Sequence, residues 1–253
     1  MKTIRFLIRI EYDGSPFVGW QRQANGISVQ QVIEEAAPQL CGYAIQIQGA
    51  GRTDSGVHAT GQVAHLDLPD KFDENRVTEA LNALIGNWPV TILQAQAVDE
   101  SVHARFSATQ RQYLYRILAQ RTPPALALGR VWHHRQRLNP AAMQLAADRL
   151  VGKHDFTSFR ASQCQADSAI RTIDELRIEA VGAEIHLHVA ARSFLHHQVR
   201  NITGTLALVG TGKWSADDVS AALVALDRAA AGPTAPAEGL YLSAVSYKGI
   251  DWS

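Results

Sequence analysis

The order of strand and helix patterns in the first hundred residues restricts the fold to a few possibilities. Alternating apolar residues from Thr3 to Tyr12 predict a strand, and apolar residues at helical spacing after Ser28 predict a helix. Two strand-like runs, a helical pattern over 73–85 and a strand over 89–99 follow. This β-α-β-β-α-β order is typical of the split βαβ motif. We therefore expect an α+β fold with an antiparallel sheet and both helices on one face.

The second half of the chain approximately repeats this plan. The patterns predict a strand over 107–119, a helix capped by Asn139, a hairpin about Gly182, helices over 195–210 and 215–226, and a closing strand over 239–247. We expect two ferredoxin-like (RRM-like) halves, residues 1–104 and 105–253. Their mixed, mainly antiparallel sheets would join edge to edge, with the helices on one face and a cleft between the halves.

A glycine-rich loop, residues 49–59, lies between two β-prone runs at 43–48 and 61–68. Its sequence is Gly-Ala-Gly-Arg-Thr-Asp-Ser-Gly-Val-His-Ala. Glycine allows the backbone to turn tightly or to approach a ligand, and loops on a rigid scaffold often display reactive groups. The spacing equally fits a plain turn in which the aspartate caps its own backbone. The loop alone therefore does not decide between a reactive and a connecting role.

Charge is unevenly distributed along the 253 residues, although the formal net charge is zero. Residues 1–100 hold seven basic and twelve acidic residues, whereas residues 101–253 hold seventeen and twelve. The stretch 101–147 has no acid and seven arginines, which are Arg105, Arg111, Arg116, Arg121, Arg130, Arg135 and Arg137. These arginines could bind a polyanion along one face, or they could pair with the acids of the first half.

Several classes of protein are disfavoured by the sequence. Cys41 and Cys164 are far apart and lack CxxC spacing, so we expect neither a disulfide framework nor a zinc motif, and the usage fits a reducing cytosol. Arg5 and Arg9 interrupt the apolar N-terminal run, so we expect no signal peptide there. No apolar run reaches the eighteen residues that a membrane-spanning helix needs. The ten histidines match no HExxH pattern, so no metal site is predicted. We expect a cytoplasmic protein without a membrane span.

Seven separated motifs resemble those of the tRNA pseudouridine synthase A family, in the same order and from Glu11 to Tyr247. They are residues 11–15 with 19–23, 28–30, 49–59, 103–109, 155–159, 194–201 and 234–240. The resemblance implies that uridines in the anticodon stem-loop of tRNA are isomerised to pseudouridine, without cofactor or metal. It also implies a homodimer in which each tRNA spans both subunits.

The resemblance identifies Asp54 as the catalytic aspartate. A carboxylate next to C1′ can stabilise or trap the electron-poor sugar while the uracil turns. Attack on the sugar, removal of a sugar proton and attack on the ring all remain open as the first event. Arg200 matches the arginine that pairs with this aspartate, and a nearby arginine lowers an aspartate pKa by roughly 1–3 units. The alternative for Arg200 is a surface arginine on a helix.

Three further residues match positions that contact the substrate in this family. Arg52 matches the arginine that takes the place of the flipped base, although a phosphate contact or a loop salt bridge would also suit it. Tyr113 matches the active-site tyrosine and is predicted to be catalytic: its ring can stack on the uracil, a contact worth about 1–3 kcal/mol, and its oxygen could help to remove the C5 proton. Tyr115 lies on the same strand face as Tyr113, so a small shift in the alignment with the motif would exchange the two tyrosines. Leu240 matches an apolar residue against the base, or is ordinary strand core.

Three residues complete the predicted substrate-binding set. His58 ends the glycine loop and is expected to shape it more than to act on the substrate. Arg111 and Arg116 belong to the acid-free stretch and are predicted to contact RNA. The competing interpretation is a non-catalytic RNA-binding protein or tRNA chaperone on the same scaffold. It is disfavoured because binding alone does not need the Asp54 carboxylate, and a metal-assisted hydrolase fails for lack of a ligand cluster.

Overall fold

The computed structural model describes residues 2–252 and divides into two compact units. Unit 1 comprises the described residues up to Thr109 and those from Tyr241 onward, and unit 2 is Gln110–Leu240. This division differs from the predicted halves, because the last strand belongs to unit 1. Its residues Tyr241 and Leu242 pair in parallel with His58 and Ala59 of that unit.

The elements follow one another along the chain as β1 (Thr3–Tyr12), α1 (Val29–Ala36), α2 (Pro38–Cys41), β2 (Gln48–Gly49), β3 (His58–Pro69), α3 (Glu74–Ile85), β4 (Val90–Val98), β5 (Ala108–Ala119), β6 (Trp132–His134), α4 (Pro140–Ala147), β7 (Gly152–Asp155), β8 (Ile170–Val181), β9 (Glu184–Ala191), α5 (Gln198–Gly210), α6 (Ala216–Val224) and β10 (Leu240–Tyr247). Short 3-10 turns lie at 148–150, 157–159, 228–230 and 237–239. In the described part of the chain, no helix has the length and apolar character needed to cross a membrane.

In unit 1, strand β3 lies between β1 and β10 in the sheet. β3 pairs antiparallel with β1 and β2, β1 pairs antiparallel with β4, and β10 joins β3 in parallel. α1 and α3 pack against each other, and fully buried side chains such as Phe6, Leu66, Ile33 and Leu81 form the core. The expected α+β class with a mixed, mainly antiparallel sheet is confirmed in this unit.

The strands of unit 2 pair in both antiparallel and parallel directions. β9 pairs antiparallel with β5 and β8, β8 pairs antiparallel with β7, and β6 pairs in parallel with β5. α4 packs against both β8 and α5. α5 is buried on nearly every side, including the polar residues Asn201, Thr203 and Thr205. Side chains of this helix are therefore fixed by packing.

Two of the differences between observed and predicted element boundaries have a clear local cause. The predicted strand over 43–48 is reduced to Gln48–Gly49, because the Ile47 amide donates to Glu34 Oε1 and the Ile47 carbonyl accepts from Gln30 Nε2. The backbone groups of Ile47, which a strand would use, are therefore bonded to α1 side chains. The predicted helix over 195–210 begins only at Gln198, because His197 has a left-handed φ of 61°.

Candidate active site

The glycine-rich loop connects β2 to β3 and is anchored at its base by the sheet. The Ala50 amide donates to the Val63 carbonyl (2.7 Å), and Gln62 Nε2 donates to the Gly51 carbonyl (2.9 Å). The Gln62 side chain is fully buried, so this amide contact is shielded from water. The loop therefore leaves the sheet in a defined direction.

A second loop, residues 13–20, supports the glycine loop from the side. The Trp20 amide donates to the Thr53 carbonyl (3.0 Å), and Gly19 forms an isolated antiparallel bridge with Asp54. Gly19 has a φ of 121°, and a Cβ there would lie 2.6 Å from the Thr53 carbonyl oxygen. Ser55 Oγ donates to the Phe17 carbonyl (3.1 Å). Only glycine at position 19 permits this close approach, which fixes the backbone on both sides of Asp54.

A buried polar layer lies below the glycine loop. The Tyr12 hydroxyl is 2.8 Å from Thr53 Oγ1, and both residues are buried. His58 is 2% exposed, its Nδ1 accepts from the Gly14 amide (3.0 Å), and its ring stacks on Tyr241 with centroids 4.8 Å apart. His58 thus holds the two loops together. A direct contact between His58 and substrate is a prediction that this burial does not favour.

The reactive side chains of the loop differ in their exposure. Thr53 is buried, Asp54 is half-buried and Arg52 is exposed. The turn after Asp54 is closed by a hydrogen bond from the Val57 amide to the Asp54 carbonyl (3.1 Å), with Gly56 at a φ of 76°. The loop therefore combines a fixed backbone with an accessible guanidinium and a partly accessible carboxylate.

In unit 2, the structure distinguishes Tyr113, which the motif favours, from Tyr115, which lies two residues further along the same strand. Tyr115 is fully buried and its hydroxyl donates to the Pro236 carbonyl (2.7 Å). Burial raises the pKa of the Tyr115 phenol well above its ordinary value, the Glu238 carboxylate adds to this, and Arg200 opposes it. Tyr113 is only half-buried and presents its ring edge-on to Phe194, with centroids 5.1 Å apart. Tyr115 is core, whereas Tyr113 keeps an accessible ring.

Arg200 lies in the first turn of α5 and is held by the loop that precedes β10. Its Nε donates to the Ala235 carbonyl (2.8 Å), and the Ala235 amide donates to the Arg200 carbonyl (3.0 Å). The side chain is half-buried. Leu240 is 6% exposed and directly follows the 3-10 turn Ala237–Gly239. Arg200 is therefore a positioned residue and not a freely moving surface arginine.

The two arginines predicted to contact RNA have partners within unit 2. Arg111 is 7% exposed, and its Nη1 donates to the Arg192 carbonyl (2.7 Å). Arg116 forms a two-pronged ion pair with Glu184 (2.8 and 2.9 Å). Burial tends to raise the pKa of Glu184, but hydrogen bonds from Arg116 and His186 outweigh it and hold that pKa below its ordinary value. The contact of Arg111 and Arg116 with RNA stays a prediction. The exposed arginines of the same stretch are better placed for such a contact.

The structure thus brings Arg52, Asp54 and His58 together in unit 1, and Tyr113, Arg200 and Leu240 lie in unit 2. The pairing of Arg200 with Asp54 stays a prediction. The support that Tyr12 and Gly14 give to the glycine loop was not predicted from the sequence. The signal available for it was the motif at 11–15, which stands far from the loop in sequence but beside it in space.

Comparison with known proteins adds an independent observation. A family model described as tRNA pseudouridine synthase matches residues 8–107 and 146–248. The tRNA pseudouridine synthase A of Rhodospirillum rubrum is 56% identical over 246 residues, which cover 97% of this chain and 88% of the relative. The enzymes of the same name from Paramagnetospirillum magneticum and Caulobacter vibrioides are each 54% identical over 243 residues; these cover 96% of this chain and 95% and 98% of the relatives.

A solved structure of an unknown protein from Galdieria sulphuraria aligns over 89% of this chain and 92% of its own, with 11% identity and a TM-score of 0.23. That score is too low to support an argument about the fold. The family match and the identities lead to a definite assignment: the chain belongs to the tRNA pseudouridine synthase A family, whose enzymes are isomerases.

Proposed function

We propose that this protein isomerises uridine to pseudouridine in the anticodon stem-loop of tRNA, with Asp54 as the essential carboxylate. The observation that carries the proposal is the loop around Asp54, whose backbone is fixed by Trp20, Gly19 and Val57 while the carboxylate stays partly accessible. A reacting group held in one geometry lowers the barrier by removing the entropy cost of orientation. The two-sided support is what a reactive carboxylate needs and a mere connecting turn does not.

The reaction moves one bond and one proton. The N1–C1′ bond breaks, a C5–C1′ bond forms, C5 loses a proton and N1 gains one. No electrons are exchanged, so the proposed chemistry calls for no redox cofactor, and we assign no metal to it. Attack on C1′, removal of a sugar proton and attack on the ring all require an ionised Asp54. In the proposal Arg200 is the cation that favours this ionised form.

Base flipping is the second part of the proposal. A uridine in or beside a stem must leave the stack, at a cost on the order of a few kcal/mol. Arg52 is exposed and lies two positions before Asp54, so its planar guanidinium can replace the base and bond to phosphate. The accessible ring of Tyr113 stacks on the uracil, and Leu240 supplies an apolar contact. Two split-βαβ halves around a cleft, a homodimer and a cytoplasmic location belong to the proposal as well.

Release of tritium from tRNA labelled at uracil C5 tests the role of Asp54. We expect the Asp54→Asn variant to lose release by at least about 10⁴-fold, since the neutral amide can neither attack nor accept a proton. The Asp70→Asn variant is the matched control, because it removes an equal charge from an exposed position in the same unit. Release by Asp54→Asn at the control rate would overturn the catalytic assignment.

The position of the target is tested separately with two transcripts of one tRNA. One keeps its uridines in the anticodon stem-loop, and the other has cytidine at each of them. We expect release from the first transcript only. Equal release from both would place the target elsewhere in the tRNA while leaving the isomerase activity intact.

A further inference from the structure

Arg228, in the Ala/Pro/Gly-rich loop between α6 and β10, makes more contacts than a connecting loop requires. Its Nη2 donates to Asn201 Oδ1 and to Thr234 Oγ1, each at 3.1 Å. Its Nη1 donates to the Gly232 carbonyl (2.9 Å) and the Ala231 carbonyl (3.4 Å). The planar guanidinium therefore joins both sides of the loop to a side chain of α5, a geometry that a lysine cannot reproduce.

The α5 partner of Arg228 is itself immobilised. Asn201 is fully buried, its Nδ2 donates to the Phe159 carbonyl (2.9 Å), and its Oδ1 also accepts from Thr234 Oγ1 (2.6 Å). A satisfied buried network of this kind rigidifies the groups that it joins. The loop is thus hydrogen-bonded to a residue of α5 that cannot move.

The loop lies directly on the helix surface. A Cβ at Gly204 would be 1.8 Å from the Pro233 carbonyl oxygen, and a Cβ at Gly232 would be 2.7 Å from the Thr205 Cα. The Gly232 amide donates to Thr205 Oγ1 (2.9 Å). Backbone-to-backbone packing therefore leaves little freedom for the loop as long as its polar contacts hold.

The same loop holds Arg200, the residue next to Asn201. The Ala235 carbonyl accepts from Arg200 Nε, and Ala235 follows Thr234 directly. We propose that Arg228 is a positioning residue, which acts through the loop 231–235 to fix the direction of the Arg200 guanidinium. This inference rests on the catalytic role of Arg200 stated under the proposed function.

A double-mutant cycle on the full-length protein tests the inference, with single-turnover tritium release and tRNA affinity as the two readouts. We expect Arg228→Met to slow release by about 100-fold, because a misplaced catalytic group costs about that factor, with affinity changed less than about 3-fold. Arg228→Lys should recover only a small part of the rate. If Arg228 acts through Arg200, the Arg200→Met and Arg228→Met double variant will be no slower than Arg200→Met alone.

Further variants keep the test decisive if Arg228→Met does not fold. Thr234→Val removes one Arg228 contact and the Thr234–Asn201 bond, and should slow release in the same non-additive way, whereas Thr234→Ser keeps the hydroxyl and should act as wild type. Arg149→Met, which removes an exposed arginine whose ion pair with Asp217 is long (3.7 Å), is the control for charge. Rate losses that multiply in the double variant would overturn the inference. An unchanged rate for Arg200→Met would instead overturn the proposed role of Arg200.

Discussion

His65 is a buried base in β3 that links the stability of unit 1 to pH. It is 6% exposed, and its Nδ1 accepts a hydrogen bond from the Ala104 amide (3.1 Å). Burial lowers the pKa of His65 from 6.5 to about 4, and the charges of Arg5 and His103 add to this, with Asp67 opposing. The ring is therefore neutral in the folded protein at pH values where the unfolded chain already binds a proton.

The sign of the resulting pH dependence follows from proton uptake. Between pH 6.5 and about 4 the unfolded state binds more protons, so the free energy of unfolding falls as the pH falls. At about 1.4 kcal/mol per pH unit, this group contributes at most about 3 kcal/mol, all of it present above pH 6.5. We expect His65→Asn, whose Oδ1 can accept the same amide, to give a shallower acid limb in urea unfolding at stepped pH. Parallel curves for the two proteins would contradict this.

At the level of elements, the active-site loop depends on how closely two loop backbones approach. A Cβ at Gly14 would lie 2.0 Å from the Val57 carbonyl oxygen, and the nearest atoms all belong to the Val57 backbone, so no flexible side chain could move aside. Gly51 lies inside the glycine loop, yet a Cβ there meets no atom within 4 Å. Replacing Gly14 or Gly51 by alanine makes the same chemical change at both sites and tests whether loop 13–20 supports the glycine loop.

We expect Gly14→Ala to lower the free energy of unfolding by about 3 kcal/mol, because forced overpacking commonly costs about 1–3 kcal/mol and backbone atoms yield least. Tritium release should fall as well, since the loop around Asp54 must move. Gly51→Ala should unfold within about 0.5 kcal/mol of wild type. Equal stability of the two variants in urea unfolding would show that loop 13–20 does not fix the glycine loop.

At the scale of the whole molecule, the net charge of zero hides an uneven distribution of exposed positive charge. The acid-free stretch 101–147 keeps five of its arginines exposed, which are Arg105, Arg121, Arg130, Arg135 and Arg137. Arg116 is paired with Glu184 and Arg111 is buried. An ion-paired or buried guanidinium has less charge to offer a phosphate than an exposed one. The exposed arginines are therefore the ones to test.

We predict that tRNA binding weakens steeply with salt and that replacing Arg135 and Arg137 by alanine lowers the slope of log K against log salt. Each lost phosphate contact should reduce the slope by about 0.7–0.9. Arg177→Ala is the control, because Arg177 is equally a surface arginine but is paired with Glu175 and Glu179 on its own strand. A slope that is flat in wild type, or unchanged in the double variant, would reject an arginine-lined RNA surface.

Local features of this protein were predictable from the sequence because they depend on near neighbours in the chain. Asn139 caps its helix as predicted, and Ser28, Asp73 and Ser215 cap theirs in the same way, each accepting from a backbone amide three residues later. Gly182 has the positive φ expected of a hairpin turn. The order of the seven motifs along the chain was enough to identify the family.

Only the tertiary structure decided which side chains are accessible and what holds the candidate site. Tyr113 and Tyr115 share a strand face, but Tyr113 is half-buried, whereas Tyr115 is fully buried with its hydroxyl bonded to the carbonyl of Pro236, which is distant in sequence. The run at 43–47 has strand-like composition, but α1 side chains bond both the amide and the carbonyl of Ile47. Hydrogen-bond partners and burial depend on contacts between residues far apart in the chain, which local propensity does not encode. For the same reason, the sequence indicated Asp54, His58 and Arg200, but only the fold showed which contacts Gly19, His58 and Arg228 make around them.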